Sequence, residues 1–119
     1  MRKEELEEIL AYIRDQSKVR LVVVNYSSLI NLDVQHGDDF VCKSVTGNCT
    51  VNIINAKDGD SGIIELIIDT TGGYTITLGS MFTKQLGDTT VSTTAGDDNF
   101  ISWTKIGTDI VYSVSVVAT

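Results

Sequence analysis

The stretch Asn99-Phe-Ile-Ser-Trp-Thr-Lys-Ile106, Gly107-Thr-Asp109, Ile110-Val-Tyr-Ser-Val-Ser-Val-Val117 decides the fold class. In its second half Ile110, Tyr112, Val114 and Val116 alternate with Val111, Ser113, Ser115 and Val117. That period of two belongs to a strand with an apolar face inside and a mostly small, polar face outside. Gly107-Thr-Asp109 supplies a turn between this strand and the one before it. Two strands and a turn at the end of the chain set the expectation for what precedes them.

Upstream, short apolar runs are repeatedly broken by turn residues. Val19 to Tyr26 is dense in β-branched residues and favours a strand. Leu29 to Val34 is followed by His36-Gly-Asp-Asp39, and Phe40 to Val45 by Thr46-Gly-Asn48. Cys49 to Asn55 runs into Lys57-Asp-Gly-Asp-Ser-Gly62, a strong turn signal. Ile63 to Asp69, Thr70-Thr-Gly-Gly73 and Tyr74 to Leu78 read as a hairpin with a Gly-Gly connection. Residues 79–96 are less regular, with a weak strand near Thr89 to Ser92. The spacing predicts a mainly β fold, an antiparallel β-sandwich or jelly roll of seven or eight strands.

The N-terminus has a different period. Lys3 to Ser17 is built from helix formers, with acids in the first turn and bases toward the end. Leu6, Ile9 and Ile13 fall at 3-then-4 spacing on one stripe, as a-d-a positions of a short coiled coil. Two heptads do not stand alone in water, so the stripe is expected to be covered, by its own β-domain or by other copies. The expected division is an oligomerisation helix over 1–18 and a β-sandwich over 19–119, with the boundary at 17–20.

Length and charge narrow the functions. The 119 residues suit one core, and 42% hydrophobic content is enough to pack it. The net charge of −7 comes wholly from residues 21–119, since acids and bases balance in residues 1–20. Such a surface repels a phosphate backbone, so no nucleic-acid partner is expected. No apolar run approaches a membrane span, and four glutamates in the first eight residues do not suit a signal peptide. Neither membrane insertion nor secretion is expected.

Candidate chemistry is sparse. His36 is the single imidazole and sits in a turn without nucleophile partners. Asp38/Asp39, Asp58/Asp60 and Asp97/Asp98 fall in expected turns, where aspartate bonds nearby amides. None forms a twelve-residue calcium loop, and Glu65 is the one glutamate of the β-region. Cys42 and Cys49 read as small buried side chains, with a cross-hairpin disulfide as the alternative. No catalytic residue, metal site or cofactor is expected, and the chain reads as non-enzymatic. If Phe100 packs inward, Trp103 lies on the opposite face, a surface for ligand stacking or subunit contact. A bulge in the strand would make it core instead.

One ordered set of motifs resembles a β-module of bacteriophage virion proteins (fibres, spikes and tail-associated proteins). It runs through Asn48-Cys-Thr-Val-Asn-Ile-Ile-Asn-Ala-Lys-Asp-Gly-Asp-Ser-Gly62 and Thr71-Gly-Gly-Tyr-Thr-Ile-Thr-Leu78. It continues through Ser92-Thr-Thr-Ala-Gly96, Ile101-Ser-Trp-Thr104 and Gly107-Thr-Asp109 into Val111-Tyr-Ser-Val114. The resemblance covers residues 28–118. The chain departs from it at Gly79-Ser-Met81, where such modules often carry proline. The resemblance implies a homotrimer located in the virion and made in the host cytoplasm. Its implied partners are itself, other virion proteins and a host-surface glycan or receptor. The alternative reading is a bacterial surface or secreted carbohydrate-binding module, for which Trp103 would be the stacking residue.

Overall fold

Strand positions follow the period-2 pattern, but the way the strands are connected does not follow a sandwich. The computed structural model describes residues 2–16 and 20–119, with side chains described except over 10–16. Among the described residues a helix, α1 (Lys3–Gln16), precedes nine strands. These are β1 (Leu21–Val24), β2 (Leu29–Asp33), β3 (Asp39–Val45), β4 (Cys49–Ile54), β5 (Ser61–Ile68), β6 (Ile76–Leu78), β7 (Phe82–Gln85), β8 (Asp98–Ile106) and β9 (Asp109–Val117). The expected boundary at 17–20 falls mostly on residues 17–19, which lie outside the described residues.

The first six strands alternate between two sheets. The larger sheet has the order β1-β3-β5-β8-β9-β7, and the smaller has β2-β4-β6. β1, β3 and β5 pair in parallel, as do β2, β4 and β6. Each pair β1/β2, β3/β4 and β5/β6 therefore forms one coil stacked on the last, a solenoid-like arrangement. Among the described residues only β8 and β9 form antiparallel pairs, β8 to β5 and the two to each other through the turn at Gly107. The mainly β class is as expected. The antiparallel sandwich or jelly roll is not, and neither is the hairpin across Thr70–Gly73, because β5 and β6 lie in different sheets.

Local chemistry at the corners explains why these turns do not close hairpins. Asp69 accepts hydrogen bonds from the amides of Thr71 (3.0 Å) and Gly72 (2.9 Å) and from the Tyr74 hydroxyl. Gly72 and Gly73 both take positive φ, which a side-chain-bearing residue resists. The chain is thereby bent out of one sheet and into the other. A second corner stacks across three coils: the Tyr26 hydroxyl donates to the Asn48 carbonyl at 2.6 Å, and the Asn48 side chain accepts from the Thr75 amide at 2.8 Å.

Stacking then gathers inward residues into rows. Val22, Phe40, Ile64, Ile101 and Val114 lie in register across the large sheet. Ile30, Val51 and Leu78 do so across the small one. Burying each such aliphatic side chain contributes roughly 1.5–3 kcal/mol, which is what holds the coils together. A parallel row Val24-Cys42-Leu66-Asn99-Val116 contains one polar member. Asn99 is fully buried and satisfied: it accepts from the Ser92 amide and donates to the carbonyls of Ser92 and Leu66. Cys42 and Cys49 are both buried and unbonded, and burial raises both thiols. Cys42 lies within β3 and Cys49 begins β4, in different sheets, with no hairpin between them.

Candidate functional site

Leu6 and Ile9 stand on the outside of α1 with 48% and 43% of their surface exposed. The third residue of the expected stripe, Ile13, lies outside the residues whose side chains are described. Further apolar side chains are exposed on the outer face of the large sheet. Leu21, Val23, Ile63 and Val117 are each about half open to water. Each alternates with an inward neighbour (Val22, Val24, Ile64, Val116), so their outward direction follows from the pleat.

Trp103 is not on that face. It is 2% exposed, sits inward between Ile101 and the Tyr112 level of β9, and belongs to the core. The surface role expected for it is therefore corrected. The parity argument was sound, but the inward set is Asn99, Ile101 and Trp103, while Phe100 points out and is half-buried. The indole N–H has no hydrogen-bond partner among the described residues.

The outer face carries one chemical feature that sequence reasoning missed. Glu65 on β5 is flanked in its row by Val41 and Phe100, and along its strand by Ile63 and Ile67. Asp98 is paired with Ile67, which makes it the diagonal neighbour of Glu65. The carboxyl of Glu65 is pushed up to about 7 by its hydrogen bond to Asp98, then by burial, then by the Asp98 charge. One Asp98 oxygen, Oδ1, is hidden from water and bonded to no protein group among the described residues. Protonated Glu65 supplies a hydrogen-bond donor to Asp98. The sequence signal was a glutamate inside an otherwise apolar period-2 strand. Asp98 was hidden by its placement in an expected turn.

Neither carboxylate lines the clefts at β6–β9, at Asn48–Thr50 or at Val34–Asn55. A cleft of about 380 Å³ lies between β6, β7, β9 and the segment 89–91. Its floor holds Tyr112, which meets Phe82 edge-to-face with centroids 5.3 Å apart. Of the aspartates read as turn residues, Asp60 accepts from the Lys57 amide, Asp58 from the Gly107 amide and Asp97 from Ser92 and Thr119, whereas Asp39 and Asp98 begin strands β3 and β8. Asp33, Asp69, Asp97 and Asp109 are all held below the usual carboxylate range, chiefly by hydrogen bonds from Asn55, the Gly72 amide, Ser92 and Thr83 respectively. Among the described residues no three His, Cys, Asp or Glu side chains gather as a metal site. The described helix is not long and apolar enough to cross a membrane.

No protein-family model, curated protein or solved structure matches the chain.

Proposed function

We propose that this chain is a non-enzymatic structural module that self-associates as a homotrimer, a β-solenoid piece of a fibre- or spike-like virion assembly. The observation that carries the self-association is the half-exposed pair Leu6 and Ile9 on one stripe of a 14-residue helix. An isolated helix of this length is marginal in water, and an open apolar stripe favours packing against its own kind. Leucine at a and isoleucine at d favour three or four strands over two. The virion setting rests on the resemblance of residues 28–118 and on nothing else. Trp103 no longer supports the carbohydrate-module alternative, because a buried indole offers no stacking face.

Light scattering on the intact chain tests the proposal. The expected result is a mass three times 12.9 kDa. The double variant Leu6→Asp/Ile9→Asp is expected to shift the mass toward one chain while leaving the β-domain's melting unchanged. A wild-type monomer at high concentration would overturn the reading.

A further inference from the structure

The two sheets have unequal numbers of strands, and the inequality leaves a built but empty place. The large sheet runs on through β8, β9 and β7, whereas the small sheet stops at β6. The inward side chains Phe82 and Tyr112 therefore have no strand of the small sheet above them, and both are only half-buried. The 380 Å³ cleft lies in that position, with β6 as one wall.

The wall is an unpaired strand edge. Thr75 and Gly79 turn toward β4: the Thr75 carbonyl accepts from the Cys49 amide at 3.0 Å, and the Gly79 amide donates to the Val51 carbonyl at 2.8 Å. In a parallel ladder alternate residues face opposite neighbours, so Ile76 and Leu78 turn their amides and carbonyls to the cleft. Among the described residues, no hydrogen bond is made to them from that side. The opposite wall, 89–91, is tied at both ends. The Gly73 amide donates to the Thr93 carbonyl at 2.7 Å, and the Gln85 side-chain amide donates to the Thr89 carbonyl at 2.6 Å. These ties keep the segment from zipping onto β6.

We propose that this cleft receives a short, extended, uncharged segment of a partner protein, which adds to β6 as the fourth strand of the small sheet. Such strand addition takes its affinity from main-chain hydrogen bonds and its specificity from alternate side chains. Here one set of alternate side chains would point down onto Phe82, Tyr112 and Val114, so it must be apolar. The segment must be uncharged because every residue lining the cleft is neutral, and a charge placed there would lack a partner. A second copy of the solenoid does not fit. Stacking a coil needs both sheets open at the same level, and β8, β9 and β7 already occupy the large sheet there. The inference does not depend on self-association.

The test uses the full chain and an array of blocked pentapeptides alternating Val, Ile, Leu or Phe with Thr or Ser. A subset is expected to bind, and the tightest is expected to slow amide hydrogen exchange at Ile76 and Leu78 by at least about tenfold, consistent with newly bonded edge amides. The same peptide N-methylated at alternate amides is expected to lose binding. The proposal is overturned if no array member binds, if binders leave Ile76 and Leu78 exchanging as before, or if the N-methylated peptide binds equally. Protection of the same two amides by maltotriose, with none by any peptide, would also overturn it and assign the cleft to a neutral saccharide.

Discussion

Replacing Glu65 by glutamine isolates the proton that Glu65 retains on the outer face of the large sheet. In the folded chain Glu65 keeps its proton up to about 7, against 4.5 for an ordinary glutamate. The folded state therefore binds more protons than the unfolded state between these values. The stability this group contributes is complete below pH 4.5 and is lost as pH rises toward 7. At 1.36 kcal/mol per pH unit the ceiling is about 3 kcal/mol. Water reaches the rim of this partly buried pair and screens it, so about 1–2 kcal/mol is the expected size. The carboxamide of the Glu65→Gln variant donates an N–H to Asp98 at every pH and has no proton to lose. Urea unfolding of both proteins from pH 4.5 to 8 is the assay. The other perturbed carboxylates, Asp33, Asp69, Asp97 and Asp109, are lowered, so their contributions fade only below about pH 4 and cancel between the two proteins. The variant is expected to gain about 1–2 kcal/mol on the wild type across this range, the margin worked above. Two stability curves that stay parallel would refute the retained Glu65 proton.

Three further pairs of substitutions test the core and one close backbone approach by the same unfolding measurement. Trp103→Ala is expected to cost about 3–5 kcal/mol as a cavity in the solenoid core. Trp103→Phe should cost clearly less, because the indole N–H it removes had no partner among the described residues; equal losses would contradict that. Asn99→Ala strands the Ser92 amide and two carbonyls, for an expected loss of about 3 kcal/mol, whereas Asn52→Ala on the open face should lose under about 1 kcal/mol. Gly62→Ala would set a Cβ 1.8 Å from the Asp38 carbonyl oxygen, a backbone atom, and should destabilise by more than about 2 kcal/mol. Gly59→Ala, in open space with φ +87°, should lose only about 1 kcal/mol, from its left-handed backbone.

What the sequence by itself determined is local. The alternation of Ile110, Tyr112, Val114 and Val116 places all four toward the core, as the pleat requires. The 3-then-4 spacing of Leu6, Ile9 and Ile13 fell on a helix, and Gly107 closed the hairpin of the last two strands. The weak strand expected near Thr89 did not form, and β7 at Phe82–Gln85 was not anticipated, because four residues carry no clear period. Strand partners lay beyond the sequence altogether. A turn such as Thr70–Gly73 has the same residues whether it folds a strand back on itself or carries it around a corner. Only the bonds Asp69 makes across that turn, and the stacking of coils about 20 to 30 residues apart, decide between the two. That decision then set the sites. It turned Trp103 inward, brought Glu65 beside a carboxylate 33 positions away, and ended one sheet three strands before the other. Period-2 patterning fixes which face a side chain takes relative to its neighbours, but which face is inside depends on contacts between distant segments.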